Sequence, residues 1–287
     1  MMTSLLAPNT RTIALKNVER LPSLSPAVNR LLGLLAKRDA DIQLMGRVIA
    51  SDPALSGHIL SVANSALFSR GSNVKTVDQA ITRIGIAKLR RIALSKSAAR
   101  IFRGMKTPPE WSMTRFQLHS VAVGAAAELL CEYLEVEDAE SAFLGGLMHD
   151  VGKVLIAIGQ PDRFREIENL VSITGRSQVE FERDLLGTDH AELSGLAVAK
   201  WELPFPLSRA VSRHHDPDEA GEFGSVSLSQ ALKAADEFAN SLAISVREQP
   251  SDAKPPVLPV IPGHEYPGAK FAEKFEAEWK LLSAVCF

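Results

Sequence analysis

Apolar residues recur at helical spacing along most of this 287-residue chain, and this pattern restricts its fold more than any other feature. In one clear example, Ile42, Met45, Val48 and Ile49 mark one face of a helix that ends before Pro53. The alternation of apolar and polar residues that is typical of strands does not recur. The pattern therefore predicts an all-α protein built as a bundle of many helices.

Capping and breaking residues set the expected limits of several helices. A proline at the first helical position or a threonine just before it begins a helix, and a glycine ends one. These signals predict helix starts at Pro26, Pro53 and Val77, a break at Gly85, and longer helices from Pro108 to about Leu134, from Asp138 through Ile156 and over Ser225–Val246.

Two stretches divide the chain into three expected parts. Gly104–Pro109 interrupts the helical pattern, and Glu248–Pro267 holds six of the 16 prolines, which excludes a helix there. We expect an N-terminal helical lobe over residues 1–105, a histidine-bearing helical domain over 106–247, and a proline-rich arm with a C-terminal helix over 248–287. That last helix is amphipathic, since Phe271, Phe275 and Trp279 fall on one face. We expect it to pack back on the body, because an exposed stripe of this size is a liability in a monomer.

Composition restricts the compartment and the partners. A formal net charge of −2 gives no overall attraction to nucleic acid or anionic lipid. Two cysteines, Cys131 and Cys286, are too few to hold a domain of this size together, which favours a reducing compartment. Met1–Arg20 lacks the apolar run of a signal peptide, and the longest uncharged stretch, Pro53–Ser69, is too polar to span a membrane. We expect a cytoplasmic protein with no membrane segment.

Residues 70–106 hold ten basic side chains and one acidic side chain, Asp78. Such a stretch is either a docking face for an acidic partner or a nucleotide phosphate, or a solvated helix face balanced by acids elsewhere, such as Glu128 and Glu132. It lacks a pattern of interleaved aromatic residues that would stack on bases, so nucleic acid is not favoured as a partner. We favour the solvated face.

The histidines are the residues best suited to chemistry. Of the seven, His58 and His264 are interpreted as incidental, and the other five fall in or beside predicted helices: His119, His149, His190, His214 and His215. A buried imidazole needs a partner, because an unpaired buried polar group costs on the order of a few kcal/mol. A metal ion is one such partner, and a single buried histidine is more often a satisfied core residue than a ligand.

Residue types and spacing favour a metal site of one or two ions. His149 and Asp150 project about 100° apart on a helix, so both reach one pocket, and the two carboxylate oxygens of Asp150 could bridge two ions. Asp236 could complete a first site with His119, His149 and Asp150, while His190, His214 and His215 complete a second. A mixed imidazole and carboxylate site does not distinguish iron, manganese, zinc or nickel. Paired ions can activate water and clamp a phosphoryl group.

The string His119…His149-Asp150-Val151-Gly152-Lys153…Asp236 resembles the signature of HD-domain phosphohydrolases. Further motifs narrow the resemblance to the HDOD family, over about residues 14–247: Leu21–Leu24, Ala50–Ser56, Leu60–Ala66, Val77–Ile81, Leu186–Glu192 and Trp201–Pro204. The resemblance implies an all-α fold related to the HD-GYP phosphodiesterases of cyclic-di-GMP, and a bacterial role in signal transduction. HDOD members are generally regulatory or scaffolding modules, many of which have lost metal ligands.

This chain departs from both families. Every position that matches an HD-GYP ligand histidine or aspartate still holds one, whereas Asp216–Gly221 after His214 and His215 lacks the Gly-Tyr-Pro of that family. The metal site is therefore expected to be intact, and hydrolysis of cyclic-di-GMP is not expected.

Two functions from different classes remain. The first is a regulatory module that binds a signalling protein partner or a nucleotide-like ligand around the retained metal centre. The alternative is a metal-dependent phosphohydrolase, in which Asp150 bridges the ions and Lys153 steadies the phosphate, as the resemblance implies for its counterpart. A lysine that merely closes a helix turn is the other interpretation of Lys153. A nucleic-acid regulator would depend on the basic stretch alone.

Overall fold

The computed structural model describes residues 10–24, 26–36, 41–68, 71–217, 224–247 and 257–286. These residues form α-helices, a short 3₁₀ turn at Ala139–Ser141 and two isolated β-bridges, and they contain no strand. The expectation of an all-α fold is confirmed. In chain order the helices are α1 (Thr10–Glu19), α2 (Pro26–Ala36), α3 (Ile42–Ala50), α4 (Pro53–Ala63), α5 (Val77–Ile84), α6 (Ile86–Ile101), α7 (Met113–Leu130), α8 (Ala142–Met148), α9 (Val151–Gly159), α10 (Pro161–Thr174), α11 (Gln178–Leu186), α12 (His190–Lys200), α13 (Phe205–Ser212), α14 (Leu228–Ser241) and α15 (Gly268–Val285).

The limits of α4 and α5 follow from residues that cap, start or break a helix locally. The Asp52 side chain accepts a backbone hydrogen bond at the start of α4, where Pro53 is the first residue. Thr76 caps α5 in the same way. Gly85 separates α5 from α6 with a φ of 88°, a conformation that favours glycine. These predicted limits are confirmed.

Helix α7 is shorter than the predicted helix from Pro108 to about Leu134. It begins at Met113 because the Ser112 hydroxyl accepts a hydrogen bond from the backbone N–H of Arg115 at 3.2 Å and caps it there. The prolines at 108 and 109 precede the helix and do not start it.

Helix α14 is also shorter than the predicted Ser225–Val246. Ser227 and Gln230 form a capping box, in which each side chain accepts a hydrogen bond from the backbone N–H of the other residue. At the other end Ala243 takes a left-handed conformation with a φ of 58°, which no helix accommodates.

The single helix expected from Asp138 through Ile156 is two helices. Asp138 makes no side-chain cap and has a φ of 53°. Helix α8 then ends at Met148, and α9 starts at Val151, with His149 and Asp150 in the break. At this break the side chains of His149 and Asp150 both enter one buried space. In a continuous helix the two side chains would point about 100° apart.

Helix α7 lies at the centre of the fold. It packs against α8, α14 and α15, and α12 packs against α9 and α13. Helices α2–α6 pack mainly on one another, and α2 and α6 also reach α8. One continuous apolar core joins these elements. The three-part division of the chain at 105 and 247 stays a prediction.

Helix α1 packs against α9, α11 and α12. The ammonium of Lys200, at the end of α12, donates to the carbonyls of Val18 at 3.0 Å and Leu21 at 3.1 Å. The indole of Trp201 donates to the carbonyl of Pro22 at 3.0 Å. The end of α1 is therefore capped by residues that lie about 180 positions further along the chain.

Two glycines allow α7 and α8 to approach closely. A Cβ on Gly146 would lie 2.2 Å from the backbone nitrogen of Gly124. Backbone cannot give way at that distance, so the helices would have to separate. By contrast, the nearest atoms to a Cβ on the adjacent Gly145 would be side-chain methyl carbons of Leu232 and Leu207, at 3.2 Å or more.

We expect Gly146→Ala to lower the free energy of unfolding by about 1–3 kcal/mol, the usual cost of overpacking a core. Gly145→Ala is the matched control, and we expect it to change stability by less than about 1 kcal/mol because the Leu232 side chain can move. Urea unfolding of both variants measures the difference. Equal stabilities would show that the close approach at Gly146 is not required.

The C-terminal helix packs on the body as expected. In α15, Phe271 is fully buried and Phe275 is 3% exposed, and the helix lies against α6 and α7. Trp279 is only partly buried and stacks on Phe275. Residues 248–256 of the proline-rich arm lie outside the described residues.

The basic stretch is not simply a solvated face. Arg90 and Arg91 on α6 are 4% and 8% exposed, and both form ion pairs with Glu128 on α7, which is 2% exposed. Arg91 also pairs with Glu278 on α15 at 2.7 Å. The expectation of solvation is therefore wrong for these two arginines, because both are buried, whereas the expected balance by acids such as Glu128 is confirmed. Arg70 lies outside the described residues.

One segment, Ala139–Gly159, is long and apolar enough to cross a membrane by length and composition. It is 83% buried inside the fold, as the core helices of soluble proteins are. This burial is consistent with a soluble protein.

Candidate metal centre

The five histidines and two aspartates singled out in the sequence converge on one buried space. They come from the middle of α7, the break between α8 and α9, the first turn of α12, the turn after α13 and the middle of α14. In chain order they are His119, His149, Asp150, His190, His214, His215 and Asp236. All are buried except His215, which is half-buried. His58 on α4 and His264 are not among the candidate metal ligands.

The first group lies around one oxygen of Asp150. The Nε2 atoms of His119 and His149 are each 3.4 Å from Asp150 Oδ2. The Oδ1 atom of Asp236 is 3.0 Å from His119 Nε2 and 3.7 Å from His149 Nε2. Two ligands about 2.1 Å from one ion lie roughly 3.0–3.4 Å apart, so these four residues could hold a single ion.

The second group lies around the other oxygen of Asp150. His190 Nε2 is 3.3 Å and His214 Nε2 is 4.0 Å from Asp150 Oδ1. His215 Nε2 is 2.8 Å from His190 Nε2. The carboxylate of Asp150 therefore faces a different set of imidazoles with each oxygen, the arrangement that a bridging ligand requires.

Hydrogen bonds at Nδ1 aim the imidazoles at this space. The Nδ1 atoms of His149 and His214 lie 2.8 and 2.7 Å from the carbonyls of Gly146 and Val211. The Nδ1 atom of His119 lies 2.7 Å from the carbonyl of Ile244, just after α14. Because a carbonyl only accepts, each Nδ1 carries a proton, so each Nε2 can present a lone pair to a cation once it carries no proton of its own. This is the usual outer arrangement around metal-bound histidines.

Glu182 is the functional residue that the sequence analysis missed. It is fully buried on α11, and its Oε2 accepts from the backbone N–H of His190 at 2.8 Å and from His190 Nδ1 at 2.6 Å. It therefore orients His190 as the carbonyls orient the other imidazoles. Glu182 precedes His190 by eight residues in a charged helix, so its spacing offers no signal.

Glycine 152 allows α9 to approach α12 at this point. A Cβ there would lie 2.0 Å from the carbonyl oxygen of His190. The glycine in the His-Asp-Val-Gly-Lys string therefore lets the helix that follows Asp150 pack against the backbone of His190, another candidate metal ligand.

Several atoms at the centre have no hydrogen-bond partner among the described residues. They are the Nε2 atoms of His119, His149 and His214 and the Oδ1 atom of Asp150. Four orphaned buried polar atoms that face one space would be costly, on the order of 1–3 kcal/mol each. Cations held by the two groups would satisfy these atoms, so these residues fit a metal centre.

The charges point the same way. Burial raises the pKa of Asp150, but His149 and Lys153 beside it outweigh burial and hold that pKa well below its usual range. Burial lowers the pKa of His119, but Asp150 and Asp236 outweigh it and raise the pKa to about 9. The anionic carboxylates thus hold a second proton on His119, at Nε2, and a bound cation would replace that proton.

Lys153 lies between the carboxylates and solvent. Its Nζ is 2.7 Å from Asp150 Oδ2, and 12% of the side chain is exposed. Burial lowers the pKa of Lys153, but Asp150 and Asp236 outweigh burial and raise it. The lysine is therefore charged, and it interacts with a candidate metal ligand as well as facing the cleft.

A cleft of about 820 Å³ opens beside the centre. Its lining includes three cationic side chains, three residues of the two candidate ligand groups, and several amides and hydroxyls. The charged residues and histidines of the lining are Lys153, Arg176, His190, His215, Asp236 and Arg247. A smaller cavity of about 260 Å³ adjoins it, and Lys153 and Arg247 line both. Residues 218–223, which include most of the segment that lacks Gly-Tyr-Pro, lie outside the described residues.

Comparison with known proteins gives a family and a fold. The model of the HDOD domain matches residues 21–217. The crystal structure of an HDOD domain protein of unknown function from Geobacter sulfurreducens covers 97% of both chains with a TM-score of 0.75 and 22% identity. A candidate phosphohydrolase from Shewanella amazonensis SB2B covers 96% of this chain and 99% of its own, with a TM-score of 0.71 and 24% identity.

A candidate metal-dependent phosphohydrolase from the same organism covers 97% of this chain and 99% of its own, with a TM-score of 0.54 and 22% identity. At these identities the likenesses show the fold. An uncharacterised protein from Treponema pallidum (strain Nichols) is 22% identical over 218 residues. That alignment covers 74% of this chain but 42% of the relative, so the chain spans less than half of the relative's length.

Proposed function

This chain belongs to the HDOD family, and on that premise we propose that it is a bacterial, cytoplasmic signalling module that binds a nucleotide-like ligand at a metal centre. The observation that carries the proposal is the convergence of seven ligand side chains beside an open, cation-lined cleft. A signalling protein partner stays a prediction, because no described surface identifies one.

One or two divalent transition ions would be held by the two groups that share Asp150, and iron, manganese, zinc and nickel all accept such donors. The name of the metal-dependent relative from Shewanella amazonensis supports a metal here. When bound, the ions neutralise the carboxylates and attract phosphate oxygens.

The cleft supports a phosphate-bearing ligand. Arg247 lines both cavities. Its guanidinium pairs at 2.9 Å with the carboxylate of Glu168, which lines the smaller cavity. Arg176 pairs with Glu180 at 2.8 Å at the rim. A phosphate can replace these partly exposed carboxylates, since arginine binds both anions through the same paired donors.

The proposal is tested by titrating the metal-loaded chain with guanosine monophosphate in a calorimeter. We expect the nucleotide to bind, and this binding to disappear when the metal is removed. The affinity should fall about tenfold in Arg247→Gln, because one charge-assisted contact to the phosphate is lost. Arg163→Gln is the matched control: Arg163 also pairs with one carboxylate, Glu166, but lies outside the cleft. Binding that is insensitive to metal and to Arg247 would contradict the proposal.

A metal-dependent phosphohydrolase is the second candidate, and the position of Lys153, His190 and His215 in the lining of the cleft favours it. Ions in the centre would supply water activation and charge neutralisation. Asp150 would hold the two ligand groups together, and Lys153 would pair with the scissile phosphate once the ions satisfy Asp150. The names of the two Shewanella amazonensis relatives support this candidate.

Hydrolysis separates the two candidates. We expect no turnover of cyclic-di-GMP by the metal-loaded chain, because Asp216–Gly221 lacks the Gly-Tyr-Pro sequence. Chromatography of the nucleotide products checks this. Metal-dependent turnover on the order of 1 per second or faster would instead establish the enzyme. In that case Lys153→Ala should retain the metal and lower the rate by roughly two to three decades.

A further inference from the structure

A second cavity lies away from the metal centre, between the end of α6 and the start of α7. Its volume is about 520 Å³, which falls in the range of small-molecule sites. It shares no lining residue with the cleft beside the metal centre. The lining includes Lys96, Arg100, Phe102, Arg103, Met105 and Met113.

Positive charge dominates this cavity. Three of its lining residues are cationic, and none is acidic. Arg100 is neutralised by an ion pair with Asp52. Lys96 and Arg103, in contrast, form no ion pair with any described residue. Two uncompensated cations therefore face one cavity, which favours an anion there.

Two described neighbours of Lys96, His58 and Cys286, carry no negative charge. Burial lowers the pKa of His58, and the nearby Lys96 ammonium lowers it further, so the imidazole is neutral. Burial raises the pKa of the Cys286 thiol to about 11, so this lining residue is uncharged as well. Both neighbours of Lys96 are thus neutral.

The rest of the wall is largely apolar. Phe102 is 4% exposed, and the side chains of Met105 and Met113 are partly buried against the core. Methionine adapts its shape to an apolar ligand, because its unbranched side chain has several rotatable bonds. Cationic and apolar groups therefore lie on the same cavity wall.

We propose that this cavity binds a small amphiphilic anion, whose carboxylate or phosphate head pairs with Lys96 and Arg103 and whose apolar part lies on Phe102, Met105 and Met113. The site gives a role to Lys96 and Arg103, two basic residues of the 70–106 stretch that do not take part in the ion pairs with Glu128 and Asp52. It is independent of the function proposed for the metal centre, since the two cavities share no residue.

The test uses decanoate, decyl phosphate and inorganic phosphate as probes of the full, metal-loaded chain. We expect decanoate or decyl phosphate to bind at this cavity, apart from any binding of phosphate at the metal centre, and the tighter of the two at this cavity identifies the preferred head group. Inorganic phosphate should bind at this cavity at least about tenfold more weakly, because it lacks the apolar part. Lys96→Gln combined with Arg103→Gln should weaken the two amphiphiles about tenfold.

Lys75→Gln combined with Lys88→Gln is the matched control, since it removes the same charge at two exposed positions of the stretch outside the cavity. We expect the control to bind within about twofold of the unchanged protein, and both double variants to keep the metal content and the melting temperature. The ¹³C-methyl signals of Met105 and Met113 should shift on binding, and those of the core residues Met45 and Met148 should not. Equal binding by both double variants, shifts confined to the core methionines, or no binding of either amphiphile would overturn the proposal.

Discussion

Replacing Asp150 by alanine is expected to abolish metal binding and to lower the free energy of unfolding by about 3–5 kcal/mol. Asp150 is fully buried, and its two oxygens lie between the ligand groups. Without its carboxylate, Lys153 keeps a buried positive charge that has lost its nearest partner, at 2.7 Å. The ions would also lose the side chain that they share. The folded state would then lose the stabilisation that bound ions give it.

Metal analysis by mass spectrometry and urea unfolding measure both effects. Asp162→Ala is the control, because Asp162 also pairs with a cation, Arg165, but its side chain is 97% exposed. We expect that variant to retain the metal and to change stability by less than about 0.5 kcal/mol. An Asp150→Ala protein that still holds a full complement of metal would contradict the bridging arrangement.

Glu128→Gln should be as destabilising as Asp150→Ala while leaving the metal in place. The carboxylate of Glu128 is the buried counter-ion of both Arg90 and Arg91. Glutamine has the same shape without the charge, so the buried guanidinium of Arg90 would lose the Glu128 counter-ion, and that of Arg91 would keep its pair with Glu278 alone. Breaking a buried pair in this way costs about 3–5 kcal/mol.

Glu132→Gln is a close control on the next turn of the chain. Glu132 also approaches Arg91, at 4.0 Å, and pairs with Lys274, but its side chain is 31% exposed. We expect a loss of less than about 1 kcal/mol there, as for other exposed ion pairs. Similar stabilities of the Glu128 and Glu132 variants in urea would show that burial of the arginines does not matter energetically.

The helical class could be predicted, and the candidate ligand residues could be identified, because both depend on local information. Helical periodicity is visible within ten to fifteen residues, and imidazole next to carboxylate indicates metal chemistry wherever it lies. Pro53, Thr76 and Gly85 act on the backbone beside them, so their effects were also predictable.

The features that could not be predicted depend on distant partners. The break at His149 and Asp150 contains neither glycine nor proline, and it follows from the buried space that both side chains enter. Arg90 and Arg91 look like surface residues until Glu128, almost 40 positions later, is placed beside them. Glu182 likewise becomes part of the site only when α11 lies against His190.

The position of α1 has a consequence for how this architecture can be inherited. In sequence α1 precedes α2–α6, but in space it lies on α9, α11 and α12, and Lys200 and Trp201 complete its end. The two halves of the chain are therefore interleaved rather than arranged in series. A recombination event that transferred only residues 106–247 to another protein would expose the surface that α1 covers. The metal-bearing half can be exchanged as a module only together with its first helix, which favours inheritance of the whole unit.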